Sequence, residues 1–389
     1  MAVRNVYTQA EELMIKETEK IMDEMVGWSK VPAKMLATEE SIQNMAFAVD
    51  RWNPLWRDNI YGANSRWGNM IAFPMYEERF GVRGIGSMRA TPECGYQHMI
   101  YMGDDWEIFR PIRPGDSIRL WYRRPRIIDV TDTEGNGPRT FLLIESDRDY
   151  INQKDEIISR SKLYVQRSFI DGPPKPQAMP EYGFTKEELI FLDHLVRKEE
   201  IHGPNIRYWE DVNVGDEAKP IVMGPTSMAD NAIVNAVAPS VGSVVHTREA
   251  FIKDVGDELG NEFLLDEETG RYHLRGGPAG RHWSDRAAQA EGEPCAFLFA
   301  VQSRFAMARA VTNWMGDDGF IRKFNWRHVT RTPVGDASVG HAKIINKRVE
   351  NGEHLVDLRV WLENMRGNIT EIASVTVNLL SKEVPFNWN

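Results

Sequence analysis

The feature that most constrains this chain is a pattern that occurs twice. FRPIRPGDSIRLWYRRPRIIDV, beginning at Phe109, is followed after a polar gap by TFLLIESDRDYINQKDEIISRSKLYVQR; VTRTPVGDASVGHAKIINKRV, beginning at Val329, is followed by HLVDLRVWLENMRGNITEIASVTVNLL. Each reads as strand, turn, strand, turn, strand, because β-branched and aromatic residues alternate with polar ones between turn signals. Pro114-Gly115-Asp116 and Val334-Gly335-Asp336 occupy corresponding turns, where Gly supplies φ > 0 and Asp bonds its own backbone. The later turns, Asn152 to Asp155 and Asn364 to Gly367, are offset by 212 residues. At that offset Leu163 and Val165 fall on Val375 and Val377, so the inward phase of the last strand is kept.

Helical patterns precede each strand set. SIQNMAFAVD (41 to 50) has Ile42, Met45, Ala46 and Val49 on one face, and RFAMARAVTNWMG (304 to 316) has Phe305, Ala308 and Val311 before a glycine stop. The sequence therefore predicts an α+β chain made of two copies of one unit, each a helix against a mostly antiparallel sheet. DGPPKPQAMPEYG (171 to 183), with four prolines in its first ten residues, predicts an extended linker between them, because proline fixes φ and removes a donor. The units are expected at residues 1–170 and 206–389, with linker and helix over 171–205. An insertion around 240–280 is too long for a plain connection and is expected to form a cap or lid.

Composition narrows the function classes. Apolar residues make up 42% and charged residues 27% of the 389-residue chain, and no apolar run approaches the roughly 20 residues of a membrane span. The start, MAVRNVYTQAEELMIKETEK, lacks the apolar core of a secretory signal, so a cytoplasmic protein is expected. Cys94 and Cys295 are the two cysteines, in no CxxC or Cys/His cluster, which argues against a disulfide framework or a structural zinc. A net charge of −10 opposes attraction to nucleic-acid phosphates. RLWYRRPR (119 to 126) is basic enough for a small anion, but its alternation reads better as two faces of a strand. GVRGIG (81 to 86) is no dinucleotide fingerprint. Gly316-Asp317-Asp318-Gly319 reads as a turn, with too few oxygens for calcium. No cofactor and no metal are expected.

Two further stretches carry a resemblance. Asp50-Arg-Trp-Asn53-Pro54-Leu-Trp56, with Gly62 beyond it, and Arg281-His282-Trp283-Ser284-Asp285, with Ala288 beyond it, resemble the signature Asp-x-Asn-Pro-x-His, five residues, then a small one. That is the motif of the MaoC-like acyl dehydratases, a hot-dog-fold branch that includes the (R)-specific enoyl-CoA hydratases. The segment 207 to 237 also looks like the opening of a second such unit. The resemblance implies two tandem hot-dog units, each an antiparallel sheet wrapped around a central helix. It also implies a hydratase or dehydratase acting at the Cα=Cβ bond of an acyl-CoA thioester, and a possible homodimer.

In that family a carboxylate and an imidazole hold a water and move protons, and backbone N–H groups at the start of the central helix stabilise the thioester oxygen. Each half of this chain keeps part of the pair. In the first, Trp56 stands where the imidazole belongs, and Trp offers only a donor N–H. In the second, His282 has the right spacing to Ala288, but the aspartate position falls at Gly276 or Gly277. Its carboxylate must come from Asp285, Asp230 or Asp50. His246, in SVVHTREAF, is a rival alignment. Asn53 and Trp56 are expected to face the acyl pocket, and Arg281 and Arg286 to meet the anionic CoA. Trp52, Trp56 and Trp67 could equally be core. Two other readings stay open: a non-catalytic acyl-CoA-binding or partner subunit, and a hot-dog thioesterase.

Overall fold

The computed structural model describes residues 6–28, 35–80, 97–131, 138–172, 183–237, 280–290 and 292–384, two short strands at 263–265 and 272–274, and the single residues 95, 175 and 270. The first repeat contributes α1 (Gln9–Met25), β1 (Gly27–Trp28), β2 (Met35–Leu36), α2 (Glu39–Val49), α3 (Asn59–Asn64), β3 (Gln97–Ile108), β4 (Ser117–Arg123), β5 (Arg126–Asp129), β6 (Thr140–Ile151) and β7 (Ile157–Phe169). Helix α4 (Lys186–Lys198) follows the proline-rich stretch. The second repeat contributes β8 (Ile221–Met223), α5 (Met228–Val237), the hairpin β9 (Phe263–Leu265) and β10 (Tyr272–Leu274), α6 (Asp285–Ala290), α7 (Ala300–Met315), β11 (Phe320–His328), β12 (Ser338–Glu350), β13 (Glu353–Asn364) and β14 (Ile369–Leu379).

One antiparallel sheet runs through both repeats in the order β1-β4-β6-β7-β3-β11-β14-β13-β12-β8, with β2 on β4 and β5 on β6. The order reads outward in the same way from the β3–β11 seam, so the two halves are related by a pseudo-twofold axis across that seam. Even the irregularities repeat. The bulge between Tyr101 and Gly103 against β7 has its counterpart between Ile321 and Lys323 against β14, and that between Tyr150 and Ile151 recurs between Leu362 and Glu363. Leu163 and Val165 pair with Asp104 and Tyr101, and Val375 and Val377 with Phe324 and Ile321, as the 212-residue offset predicts.

Trp106 and Trp326 occupy matching positions on the two seam strands, and both are fully buried in one hydrophobic core that also takes in Phe73 and Phe305. Helix α7 lies in that core with every residue but Ala300 and Arg309 buried, as an almost uniformly covered helix must. Its one fully buried charge, Arg304, is matched by Asp104 of β3 and by Glu78, whose carboxylate lies 3.4 Å away. Buried charges persist only when paired in this way.

The sequence sets 41–50 and 304–316 side by side as the helices before each strand set; the pseudo-twofold pairs them differently. Leu298 donates its N–H to Thr332 O and Ala72 to Ile112 O, both at 2.9 Å, so the counterpart of the start of α7 is the 3-10 turn Tyr76–Phe80. The counterpart of α2 is α5. GVRGIG and His246 lie outside the described residues, as does most of the expected insertion. Arg119, Arg123 and Arg124 of RLWYRRPR pair with Asp155, Asp147, Asp149 and Asp23, so this run is a largely salt-bridged strand.

Candidate active site

The Ala72–Leu298 match fixes the register of the two motif stretches. Helices α3 and α6 begin at corresponding residues; three residues before them stand Trp56 and His282, and three residues into them stand Gly62 and Ala288. The small residue has a physical reason: a Cβ on Gly62 would overlap the backbone of Met70, and Ala288 is fully buried.

In the first unit the imidazole position is filled by an indole. Trp56 is buried against Phe73, ring centroids 5.6 Å apart, and donates Nε1–H to Asp50 Oδ2 at 2.9 Å. Burial pushes the Asp50 carboxyl up, an effect the Trp56 donor only partly offsets. Asn53 Oδ1 accepts the Leu55 N–H at 2.9 Å and starts the turn Pro54–Trp56. Next to this site lies a narrow, mostly apolar cleft, lined among others by Trp56, Phe73, Glu77, Ile108 and Phe320. Trp67 is core, donating to Asp317 O at 2.8 Å, and Trp52 is exposed.

In the second unit His282 donates Nδ1–H to the Phe297 carbonyl at 3.0 Å, since a carbonyl can only accept. Its ring stacks on Phe299, centroids 4.1 Å apart. Burial among these rings, then the charges of Arg281 and Arg331, push its pKa down to about 3. At neutral pH the ring is therefore neutral, with its lone pair on Nε2. Phe299 is the N-cap residue of α7 and gives no side-chain cap, so the imidazole stacked on it lies beside the positive end of the helix dipole.

The residue that holds this arrangement is Asn231, which the sequence reading passed over for its neighbour Asp230. Asn231 is fully buried. Its Nδ2 donates to His282 O at 2.7 Å and Phe297 O at 3.2 Å, while its Oδ1 accepts from Phe299 N at 3.1 Å and Gln302 Nε2 at 2.6 Å. One amide thus ties the histidine turn to the start of α7 with its hydrogen-bonding capacity used in full. The sequence signal was an asparagine on the buried face of α5, in line with Val234 and Asn235.

The three candidate carboxylates are engaged elsewhere. Asp230 accepts from Ser227 N and Oγ at 2.6 and 2.7 Å, Asp285 accepts from Ala296 N at 2.8 Å, and Asp50 belongs to Trp56. Among the described residues no carboxylate hydrogen-bonds His282. Arg281 is buried, donating to Met99 O at 3.0 Å and lying 3.8 Å from Glu293, whereas Arg286 is on the exposed face of α6. Glu293 also receives Arg331 at 2.7 Å and His98 at 3.0 Å. Burial raises its pKa, but the His98 hydrogen bond and the two arginines outweigh that and hold it below the usual range. The described residues hold no group of three or more His, Cys, Asp or Glu set for a metal ion, and no helix among them is long and apolar enough to cross a membrane.

Comparison with known proteins agrees with this architecture. Among solved structures, a MaoC-like dehydratase superposes with a TM-score of 0.62 at 15% identity, over 92% of this chain and 100% of that one. A conserved Mycobacterium tuberculosis protein with a double hotdog fold gives 0.50 at 11% identity, over 92% and 97%. The chain is a double hot-dog protein. Within it, residues 24–160 match the family model of the FAS1-like dehydratase domain region. A UPF0336 protein of Thermobifida fusca (strain YX) is 25% identical over 120 residues, 30% of this chain and 75% of the relative.

Proposed function

We propose that the protein adds water to, or removes it from, the Cα=Cβ bond of an acyl-CoA thioester, with His282 as the general base and acid. The observation that carries this reading is the held, neutral imidazole of His282 at the uncapped start of α7. In hydration, Nε2 takes a proton from water as the oxygen bonds to Cβ. The π electrons move onto the thioester oxygen, where first-turn N–H groups of α7 stabilise the charge. A proton then joins Cα and the carbonyl re-forms. The first unit binds without reacting, since Trp56 does not titrate near neutral pH. Its apolar cleft suits an acyl group, and the site next to His282 gains positive charge from Arg281 and Arg331.

The second reading, a non-catalytic acyl-CoA-binding subunit, is favoured by one observation: the lack of a carboxylate on His282 among the described residues. A panel of 2-enoyl- and 3-hydroxyacyl-CoA thioesters separates the readings when conjugated-bond absorbance and free thiol are followed together. Turnover at the double bond, reduced about 10²–10⁴-fold in His282→Ala, is the expected result. Thiol release identifies a thioesterase, and binding without turnover identifies a carrier. Full activity in His282→Ala defeats the assignment of the base.

A further inference from the structure

The cleft of the first unit is lined by Trp56, Phe73, Glu77, Ile108 and Ile112, among others. The pseudo-twofold register puts His282, Phe299, Ser303, His328 and Thr332 at the corresponding positions of the second unit. One of these, His328, belongs to a pair unrelated to the motif. His328, near the end of β11, is the cross-strand partner of Glu371 on β14, and its Nδ1 is hydrogen-bonded to Glu371 Oε1 at 2.8 Å. Glu371 is fully buried, and its Oε2 has no hydrogen-bond partner among the described residues. Ser303, one turn beyond Phe299 on α7, lies beside the same carboxylate and, with His328, opposes the burial that pushes it up to about 7.

The first unit shows what is specific here. At the positions of Ser303 and Glu371 it has Glu77 and Ser159, and there too the serine opposes the burial that pushes the carboxyl up. Each unit therefore buries one serine–glutamate pair, with acid and hydroxyl exchanged between strand and central segment. The first unit has Ile108 beside its pair; the second sets an imidazole on it. A carboxylate that takes Nδ1–H fixes the tautomer and leaves the Nε2 lone pair for chemistry. His282 and His328 are thus both held through Nδ1, at the positions that correspond to Trp56 and Ile108 of the first unit's cleft.

We propose that His328, oriented by Glu371, is the second proton-transfer group of the His282 site and stands in for the aspartate that the sequence lacks at Gly276 and Gly277. The inference rests on the hydratase reading above. In hydration His282 Nε2 accepts one proton of water as the O–Cβ bond forms, and His328, having first taken a proton from solvent on its Nε2 lone pair, gives it to Cα as the C–H bond forms. His282 ends protonated and His328 neutral. Proton exchange through water restores both, and dehydration runs the same transfers backward. His328 is the catalytic residue here and Glu371 the positioning one.

The test uses the full-length protein, a thioester that the wild type turns over, and the variants His282→Ala, His328→Gln and Glu371→Gln, with thermal midpoints recorded alongside. His328→Gln should lower kcat about 100-fold with little change in KM. Glu371→Gln, whose amide oxygen still accepts Nδ1–H, should lower kcat about tenfold. Ring ¹⁵N spectra of histidine-labelled protein supply a readout that does not depend on the variants. His328 should show the Nδ1–H tautomer, and its Nε2 signal should move when a saturated acyl-CoA thioether is added. A His328→Gln enzyme with kcat near that of the wild type overturns the inference, as does an Nε2 signal of His328 that stays still while that of His282 moves. A wild type inert toward every thioester overturns the hydratase reading itself. An active wild type that loses turnover in His282→Ala but keeps it in His328→Gln overturns this inference alone.

Discussion

His282, half-buried, and Glu371, fully buried, are both shifted, but stability should depend on them with opposite sign. His282 is held at about 3 against 6.5 for a free imidazole, so the folded chain binds fewer protons than the unfolded one between those values. Its contribution is complete above pH 6.5 and is lost as pH falls toward 3. Glu371 is raised from 4.5 to about 7, so the folded chain there binds more protons. Its contribution is complete below pH 4.5 and is lost as pH rises to 7, on the order of 3 kcal/mol. Thermal midpoints against pH should therefore lose part of their acid-side fall in His282→Phe and part of their fall toward neutrality in Glu371→Gln; identical profiles for all three proteins would show that neither group is held as described. Arg304 supplies a third case. Removing its charge leaves Asp104 and Glu78 buried without it, so Arg304→Met should cost about 3–5 kcal/mol in denaturant unfolding.

At Gly103 and Gly62 elements meet so closely that a Cβ would strike backbone. Gly103, at φ 129°, sits at the β3–β11 seam, where a Cβ would overlap the Trp326 carbonyl. Gly103→Ala should lose about 3 kcal/mol of stability and loosen the seam, measurable as faster amide exchange in β11. At Gly62 a Cβ would strike the backbone of Met70, so Gly62→Ala should push α3 off its support and change Trp56 fluorescence. The same substitution is already accommodated in the second unit, where the position is Ala288. The demand for a small residue belongs to the element packing, and how small depends on the neighbour.

Across the whole molecule, the continuous sheet and shared core make the two repeats one cooperative body. Calorimetry should record a single unfolding transition with calorimetric and van't Hoff enthalpies in agreement; two resolved transitions would mean that the seam does not couple the units. The paired charges at the seam work in the same direction. Glu78 and Arg304 are corresponding residues of the two units and meet each other, so each unit complements the other and would set like charges against a copy of itself.

The sequence by itself determined the repeat, the inward phase of its last strand and the correspondence of Trp56 with His282, because these follow from local periodicity and spacing along one stretch of chain. It also singled out the surviving histidine. Only the tertiary structure decided what that histidine touches. Asn231 reaches it from α5, and the His328–Glu371 pair joins two strands that are neighbours through the sheet but separated in the chain by two others. Asp230, Asp285 and Asp50, the nearest acids by spacing, were each taken up by a local donor. Spacing records which residues share a turn; the meeting of an acid and an imidazole from different strands is set by sheet order and by the axis that relates the two units, neither of which is written in any one segment.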